Sequence, residues 1–415
     1  MAVILRSNTD LVYLPDHGFV GEEGALRILP QITRHIHRID ISHNLLGSAG
    51  TLTLFKGLST LRLRHSSPEL GLGLWGLTEV NLGMNGLDDI ALDGVLAYAK
   101  KDVLLKRILV QGNEIKFEEK NIESIINSLN SSNIESLSLV NNIYIKTKGL
   151  IKFLNLLNCS TLKSLNLSAC NLNSTISESI SKFIISKKSR NLENLELNGN
   201  HLGSEGISKI INSIENYNFT LTSIGLLANH SLSEQIINLE QEQEQEQEEI
   251  NLNQEYLIDK KNENKIIEYQ IHQRLPNILE RNKNLNKRIR KASLNVNVPA
   301  KIIFNAKSLT NEEIAKNVIN DISNNSSSKG IFRLFELPEE IIHLIIRYTS
   351  QDPWAFNDSQ WTKIRKDSID RDNLKKMYRL RIVRSRGKMI DEIKGVNREM
   401  REEWLRKNKL DKWER

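Results

Sequence analysis

The run Asn191 to Gly206, NLENLELNGNHLGSEG, sets Leu192, Leu195, Leu197, Asn200 and Leu202 at the spacing L-x-x-L-x-L-x-x-N-x-L. Leu195 and Leu197 stand two apart, so a short strand turns both toward one buried face. Asn200 follows where the chain must turn, and its side-chain amide can bond the exposed backbone of neighbouring turns. Gly203 and Gly206 come next, then Ile207, Ile210, Ile211 and Ile214 at helical spacing. The asparagine position recurs at Asn44, Asn85, Asn113, Asn142, Cys170, Asn200 and Asn229, with gaps of 41, 28, 29, 28, 30 and 29 residues. A strand–turn–helix unit cannot bury its apolar face alone, so near-equal periods imply units stacked on one another.

The gap of 41 residues reads as a 28-residue unit plus an insertion of 13, placed as a surface excursion near Leu61 to Gly73, where Pro68 and several glycines lie. Val20-Gly21 and Gly24 stand 26 residues before Leu46-Gly47 and Gly50, which marks a degenerate first unit. Residues 1–35 are therefore expected to form a cap and an irregular unit, with Leu26, Ile28 and Leu29 on its helical face. The pattern resembles the ribonuclease-inhibitor-like class of leucine-rich repeats. The alternation of Asn with Cys170 at the turn, and the Leu-Gly-x-x-Gly runs at Leu46–Gly50 and Leu202–Gly206, carry the likeness. That resemblance implies an α/β solenoid of about eight strand–helix repeats over residues 1–230. A polar low-complexity linker, largely disordered or loosely helical, is expected over 231–330, and an α-helical region over 331–415.

The linker assignment rests on LEQEQEQEQEEI at 239–250, too charged to bury a core, and on the hinge-like NNSSSKG at 324–330. Ile266, Ile267, Ile271 and Leu275 suggest a short amphipathic helix ending at Pro276. Farther on, the opening Leu337, Pro338, Glu340, Ile341, Ile342 and Ile345 resembles an F-box. In that family a short helical domain docks on the adaptor of cullin-type ubiquitin ligases, and leucine-rich repeats often hold the substrate. Trp361 and Ile364 loosely match the later tryptophan-containing helix of the family, whereas Gln351–Gln360 lacks its aliphatic middle helix and the motif follows the repeats instead of preceding them. The same residues also fit a helical hairpin with a structural role.

Within the repeats, residues flanking the buried leucines face the inner surface of the sheet. By register these include Arg38, Asp40, Glu79, Asn81, Arg107, Gln111, Asn166, Glu196 and Asn198, the candidate partner-binding set. They also fit a solvated sheet face with no dedicated ligand. Asp88-Asp89 reads as a helix-capping pair. Gly71-x-Gly73-x-x-Gly76 matches a dinucleotide fingerprint only formally, since it precedes a strand. His35, His37 and His43 lack partners at zinc spacing, and no catalytic triad or dyad is legible. The expected function is therefore non-enzymatic protein binding without metal or cofactor, with the cullin-ligase adaptor as a further partner through the F-box-like helix. The alternative is regulation of GTP hydrolysis, because the Ran GTPase-activating protein is similar in pairing long repeats with an acidic stretch.

Two cysteines in 415 residues argue for a reducing compartment, cytoplasmic or nuclear. No run approaches the ~18 apolar residues of a membrane span, and the start MAVILRSNTDLVYLPD lacks the features of a secretory leader. Residues 361–415 hold 19 Lys/Arg against 10 Asp/Glu, net +9 in a chain of net +6. Arg371, Lys375, Lys376, Arg379, Arg381, Arg384, Arg386 and Lys388 could neutralise phosphates of nucleic acid or a membrane, but the tail is expected to be a solvated amphipathic surface, and the chain a monomer without a nucleic-acid partner.

Overall fold

The computed structural model describes residues 10–66, 73–230, 264–317, 334 and 337–414, with side chains beyond residue 305 of the third stretch left aside. The acidic run at 239–250, the NNSSSKG stretch and Gly71 lie outside the described residues. Two compact units result, Met1–Leu279 and Glu280–Arg415.

The first unit is α/β. Its strands are β1 Leu11–Tyr13, β2 Arg38–Asp40, β3 Glu79–Asn81, β4 Arg107–Leu109, β5 Ser136–Ser138, β6 Ser164–Asn166, β7 Asn194–Glu196 and β8 Ser223–Gly225. All pair in parallel and the sheet order is the sequence order. One row of central residues, Val12, Ile39, Val80, Ile108, Leu137, Leu165, Leu195 and Ile224, runs buried across the sheet. The helices α1 Gly21–Ile28, α2 Gly47–His65, α3 Asp89–Lys101, α4 Glu119–Asn130, α5 Thr147–Leu156, α6 Ser177–Ile185 and α7 Gly203–Tyr217 alternate with the strands, each packed on the next. Parallel strands need such crossovers, and the helices cover one sheet face with aliphatic side chains.

The turns explain the period. Asn200 donates to Leu167 O (2.9 Å), Leu197 O (2.8 Å) and Asn198 O (3.4 Å). Its Oδ1 accepts from Cys170 N (3.0 Å) and Leu172 N (3.1 Å). Asn113 repeats this with Leu82 O and Val110 O as acceptors and Asn85 N and Leu87 N as donors. Each turn amide thus stitches its own turn to the preceding one, satisfying backbone groups that have no ladder partner. Cys170 keeps the place of an asparagine by aiming its thiol at Leu139 O (3.1 Å) and Ser168 O (3.4 Å). Burial pushes that thiol up to about 11, so it stays a neutral donor. The residue before each turn position is left-handed: Asp16, His43, Met84, Gly112, Asn141, Ala169, Gly199 and Ala228 all have φ between 53° and 66°. Only two of the eight are glycines, so six carry backbone strain that the amide ladder offsets.

Several sequence expectations are corrected. Leu26 is exposed; Gly24, Ala25 and Ile28 form the buried face of α1, because Gly24 lies under Phe19 with no room for a Cβ. The insertion does not leave the fold at Leu61, since α2 continues to His65. Asp88 does cap α3, accepting from Ala91 N at 2.9 Å. Asp89 instead lies buried and receives the backbone N–H groups of Lys116, Phe117 and Glu118 from the next unit.

The amphipathic segment does not stop at Pro276. The chain is helical from 264, passes through a π-turn at Gln270–Arg274 and continues as α8, Leu275–Asn317. The wider turn just before Pro276 accommodates a residue that lacks an N–H and crowds the preceding carbonyl. Ile267, Leu275 and Ile278 join the core of the first unit, and Arg274 bonds Asn212 (2.7 Å) and pairs with Glu215 of α7. The helix therefore covers the apolar side of α7, which has no following repeat helix against it among the described residues.

The second unit is helical. Its core joins Ile289, Ala292, Val296, Ala300 and Phe304 of α8 to α9 (Glu339–Thr349), α10 (Asp358–Ile369) and α12 (Ile390–Lys407), with α11 (Arg371–Ser385) before the last. Part of the stretch expected as linker is thus core. Its apolar stripe is sparse and two of its five residues are alanine, which hides it among Asn, Lys and Arg.

Candidate functional site

The sheet face opposite the helices carries three rows of side chains. Nearly all of the expected residues there are already engaged with one another. Arg38 holds Asp10 through both Nη2–Oδ1 (2.8 Å) and Nε–Oδ2 (3.2 Å), which keeps the Asp10 carboxyl below its ordinary range. Arg107 Nε donates to Glu79 (2.6 Å) on the adjacent strand. In the next row Asp40 accepts from Ser42 Oγ (2.7 Å) and from Asn81 Nδ2 (3.0 Å), and Asn81 Oδ1 accepts from Gln111 Nε2 (3.0 Å). The Gln111 side chain lies where a Cβ on Gly83 would sit, so Gly83 and Ser42 are buried and do not face solvent. On the far strands Asn198 Nδ2 donates to Glu196 (2.9 Å), and Asn166 Oδ1 receives Ser168 N (3.0 Å).

Register therefore sets Asp40 beside Asn81 and Glu79 beside Arg107, and Gln111, two residues beyond Leu109, reaches diagonally to Asn81. Arg38 and Asn166 stand apart from both. Glu196 and Asn198 form a separate cluster. Between the two halves, Ser136, Ser138, Ser164 and Ser168 are short, so the face is lowest over β5 and β6. One further residue of this face escaped sequence reasoning. Tyr13 is 65% exposed on β1, whereas Leu227, 53% exposed at the other end, follows from the same register as the expected set. Tyr13 could have been found by aligning Leu11–Tyr13 with Arg38–Asp40, but the degenerate first turn, with His17 where Asn belongs, conceals the register.

The α9 residues divide by helical position. Pro338 stands at the N-cap, not inside the first turn, and its carbonyl accepts from Ile341 N (3.0 Å) and Ile342 N (3.1 Å). Ile342 and Ile346 are buried in the core, Leu337 packs at its edge and Ile345 is half-buried. Ile341, Leu344 and Tyr348 are exposed along one stripe, and Glu340 is exposed beside them. Glu339 receives Arg365 at 2.6 Å, and Arg347 lies over the Trp361 ring. No regular helix interrupts residues 350–357.

A cavity of about 480 Å³ opens between the starts of α4 and α5, lined by Phe117–Lys120 and Lys146–Gly149. Its lysines are partly spent: Glu118 pairs with Lys146 at 3.2 Å and with Lys120 at 3.6 Å. Among the described residues no group of three His, Cys, Asp or Glu could hold a metal ion, and no helix is long and apolar enough to cross a membrane. No protein-family model matches the chain, and no curated protein matches it.

Proposed function

We propose that the chain is a non-enzymatic protein-interaction scaffold: a leucine-rich repeat solenoid of the ribonuclease-inhibitor-like class whose inner sheet face takes a protein partner. The observation that carries this reading is the cross-strand hydrogen-bond chain Asp40–Asn81–Gln111, flanked by the Arg38–Asp10 and Arg107–Glu79 pairs. Side chains fixed before the partner arrives lose little rotamer freedom on binding, so they contribute more to affinity than mobile ones. Tyr13 adds a rigid aromatic anchor at the first strand. In the sharper form, α9 is an F-box-like docking helix. Its exposed Ile341, Leu344 and Tyr348, behind the Leu337-Pro338 opening, offer an apolar stripe for the cullin-ligase adaptor while Ile342 and Ile346 hold the helix to its core.

Two separate measurements test the two halves. Partners purified with the tagged full-length protein should be lost from a Tyr13→Ser, Arg107→Ala variant that still folds; retention of every partner would remove the inner face from consideration. Purified adaptor should bind intact protein and fail to bind Ile341→Asp, Leu344→Asp. If intact protein does not bind adaptor, the receptor form is wrong and the scaffold form stands or falls on the first measurement.

A further inference from the structure

The second unit ends in a helical hairpin whose tip has unusual chemistry. Residues 371–390 hold eight Lys/Arg and a single acidic residue, Asp372, for a net charge of +7. The whole chain is +6, so this stretch of 20 residues outweighs everything else. α11 has no buried side chain, and in the first half of α12 only Val396 is buried. The two helices are instead fastened to one another and to α10 by polar contacts. Arg384 pairs with Glu403 at 2.9 Å, Lys407 reaches Asn373 at 3.3 Å, and Trp404 Nε1 donates to Asp367 at 2.7 Å.

The turn between the helices is tight. Gly387 has φ +73°, Arg386 N bonds Val383 O and Lys388 N bonds Ser385 O. This turn joins the end of α11 to the start of α12, and each side of it carries a pair of bare aliphatics. Ile382, Val383, Met389 and Ile390 are 51%, 70%, 78% and 74% exposed. Around them Arg379, Arg381, Arg386 and Lys388 are exposed and have no carboxylate partner among the described residues. Cations without carboxylate partners about a bare aliphatic tip fit a surface that is anionic outside and apolar just beneath.

We propose that this tip is a peripheral membrane-binding element. Ile382, Val383, Met389 and Ile390 enter the interface, and Arg379, Arg381, Arg386 and Lys388 take anionic phospholipid headgroups. Both terms are needed, as for other interfacial anchors that combine apolar insertion with a polybasic collar. Nucleic acid is the other polyanion that +7 could meet, but it rewards stacking and does not reward exposed Ile, Val and Met. Tyr378 is the one aromatic residue in 371–390. The scaffold and adaptor surfaces proposed above do not include these residues.

Co-sedimentation of the full-length protein with vesicles decides the matter. Binding is expected to vesicles of phosphatidylcholine with phosphatidylserine, to be absent from phosphatidylcholine alone, and to fall as salt rises. A Val383→Ser, Met389→Ser, Ile390→Ser variant, which alters exposed side chains only, should keep its melting temperature and bind about tenfold more weakly or worse. Arg381→Glu, Arg386→Glu, Lys388→Glu should abolish binding. No binding of the wild type to serine-containing vesicles at low salt would overturn the proposal. So would undiminished binding by the serine variant, or a hairpin that binds single-stranded RNA and, when so bound, ignores vesicles.

Discussion

Asn200 shows how much rests on one side chain. It is fully buried, and its amide answers three carbonyls and two N–H groups. Removing it orphans several buried polar groups at once, so Asn200→Ala should lower unfolding free energy by about 3 kcal/mol in urea titration. The residue before it, Gly199, sits at φ +66° without strain, whereas Ala169 holds φ +53° in the equivalent place. Ala169→Gly should therefore stabilise the protein by about 1 kcal/mol, and Gly199→Ala should cost a similar amount. The asparagines were legible in the sequence because their spacing repeats. The left-handed column was not, since Asp, His, Met, Asn and Ala fill six of its eight places and leave no compositional trace. Cys170 was legible only as a place-holder; its bonds to Leu139 O and Ser168 O depend on how the neighbouring turns stack.

Among the elements, β2 to β8 were readable to within a residue because the buried aliphatics alternate, whereas β1 and α8 were not. A helix was expected to end at Pro276, yet the π-turn at Gln270–Arg274 carries the chain past it. Its core stripe in the second unit is Ile289, Ala292, Val296, Ala300 and Phe304, and the two alanines give no signal against a polar background. Next to that stripe, Lys301 is largely buried, lies over the Trp404 ring and stands 3.9 Å from Asp367. Burial lowers its pKa below that of a free lysine, and the Asp367 carboxylate only partly opposes this. The unfolded chain then holds the proton to higher pH than the folded one. Stability should rise with pH in the window below 10.5, and Lys301→Met should flatten that rise relative to wild type. Asp367 itself accepts from Trp404 Nε1 and Asn373 Nδ2. Asp367→Ala should cost about 2 kcal/mol, read from the Trp404 fluorescence transition, by stranding the indole N–H.

At the scale of the whole molecule, the candidate surface was only half visible beforehand. Register alone identified Asp40, Asn81, Gln111, Glu79 and Arg107 as inner-face residues, because strand period fixes which side chains share a face. It could not say that these residues bond to one another across strands, since that depends on rotamers. Tyr13 and the hairpin tip at Ile382–Ile390 were missed for a common reason: both are exposed apolar residues, and periodicity marks what is buried. The two cores also make separate demands. Trp75 reports on the first unit, and Trp361 and Trp404 report on the second. Asn200→Ala should therefore move the Trp75 transition of the α/β unit, and Asp367→Ala that of Trp361 and Trp404, each read in a variant that keeps only those tryptophans. A single shared shift for both variants would mean that one cooperative unit unfolds.

The turn amides have a consequence for how such a chain changes over generations. Each one answers only its own turn and the one before, and no strand pairs with any but its sequence neighbours. Copying or losing a block of 28 to 30 residues would leave every surviving junction with the donors and acceptors it had. Copy number is thus a quantity that recombination can adjust without redesigning an interior, and the breadth of the face on offer scales with it.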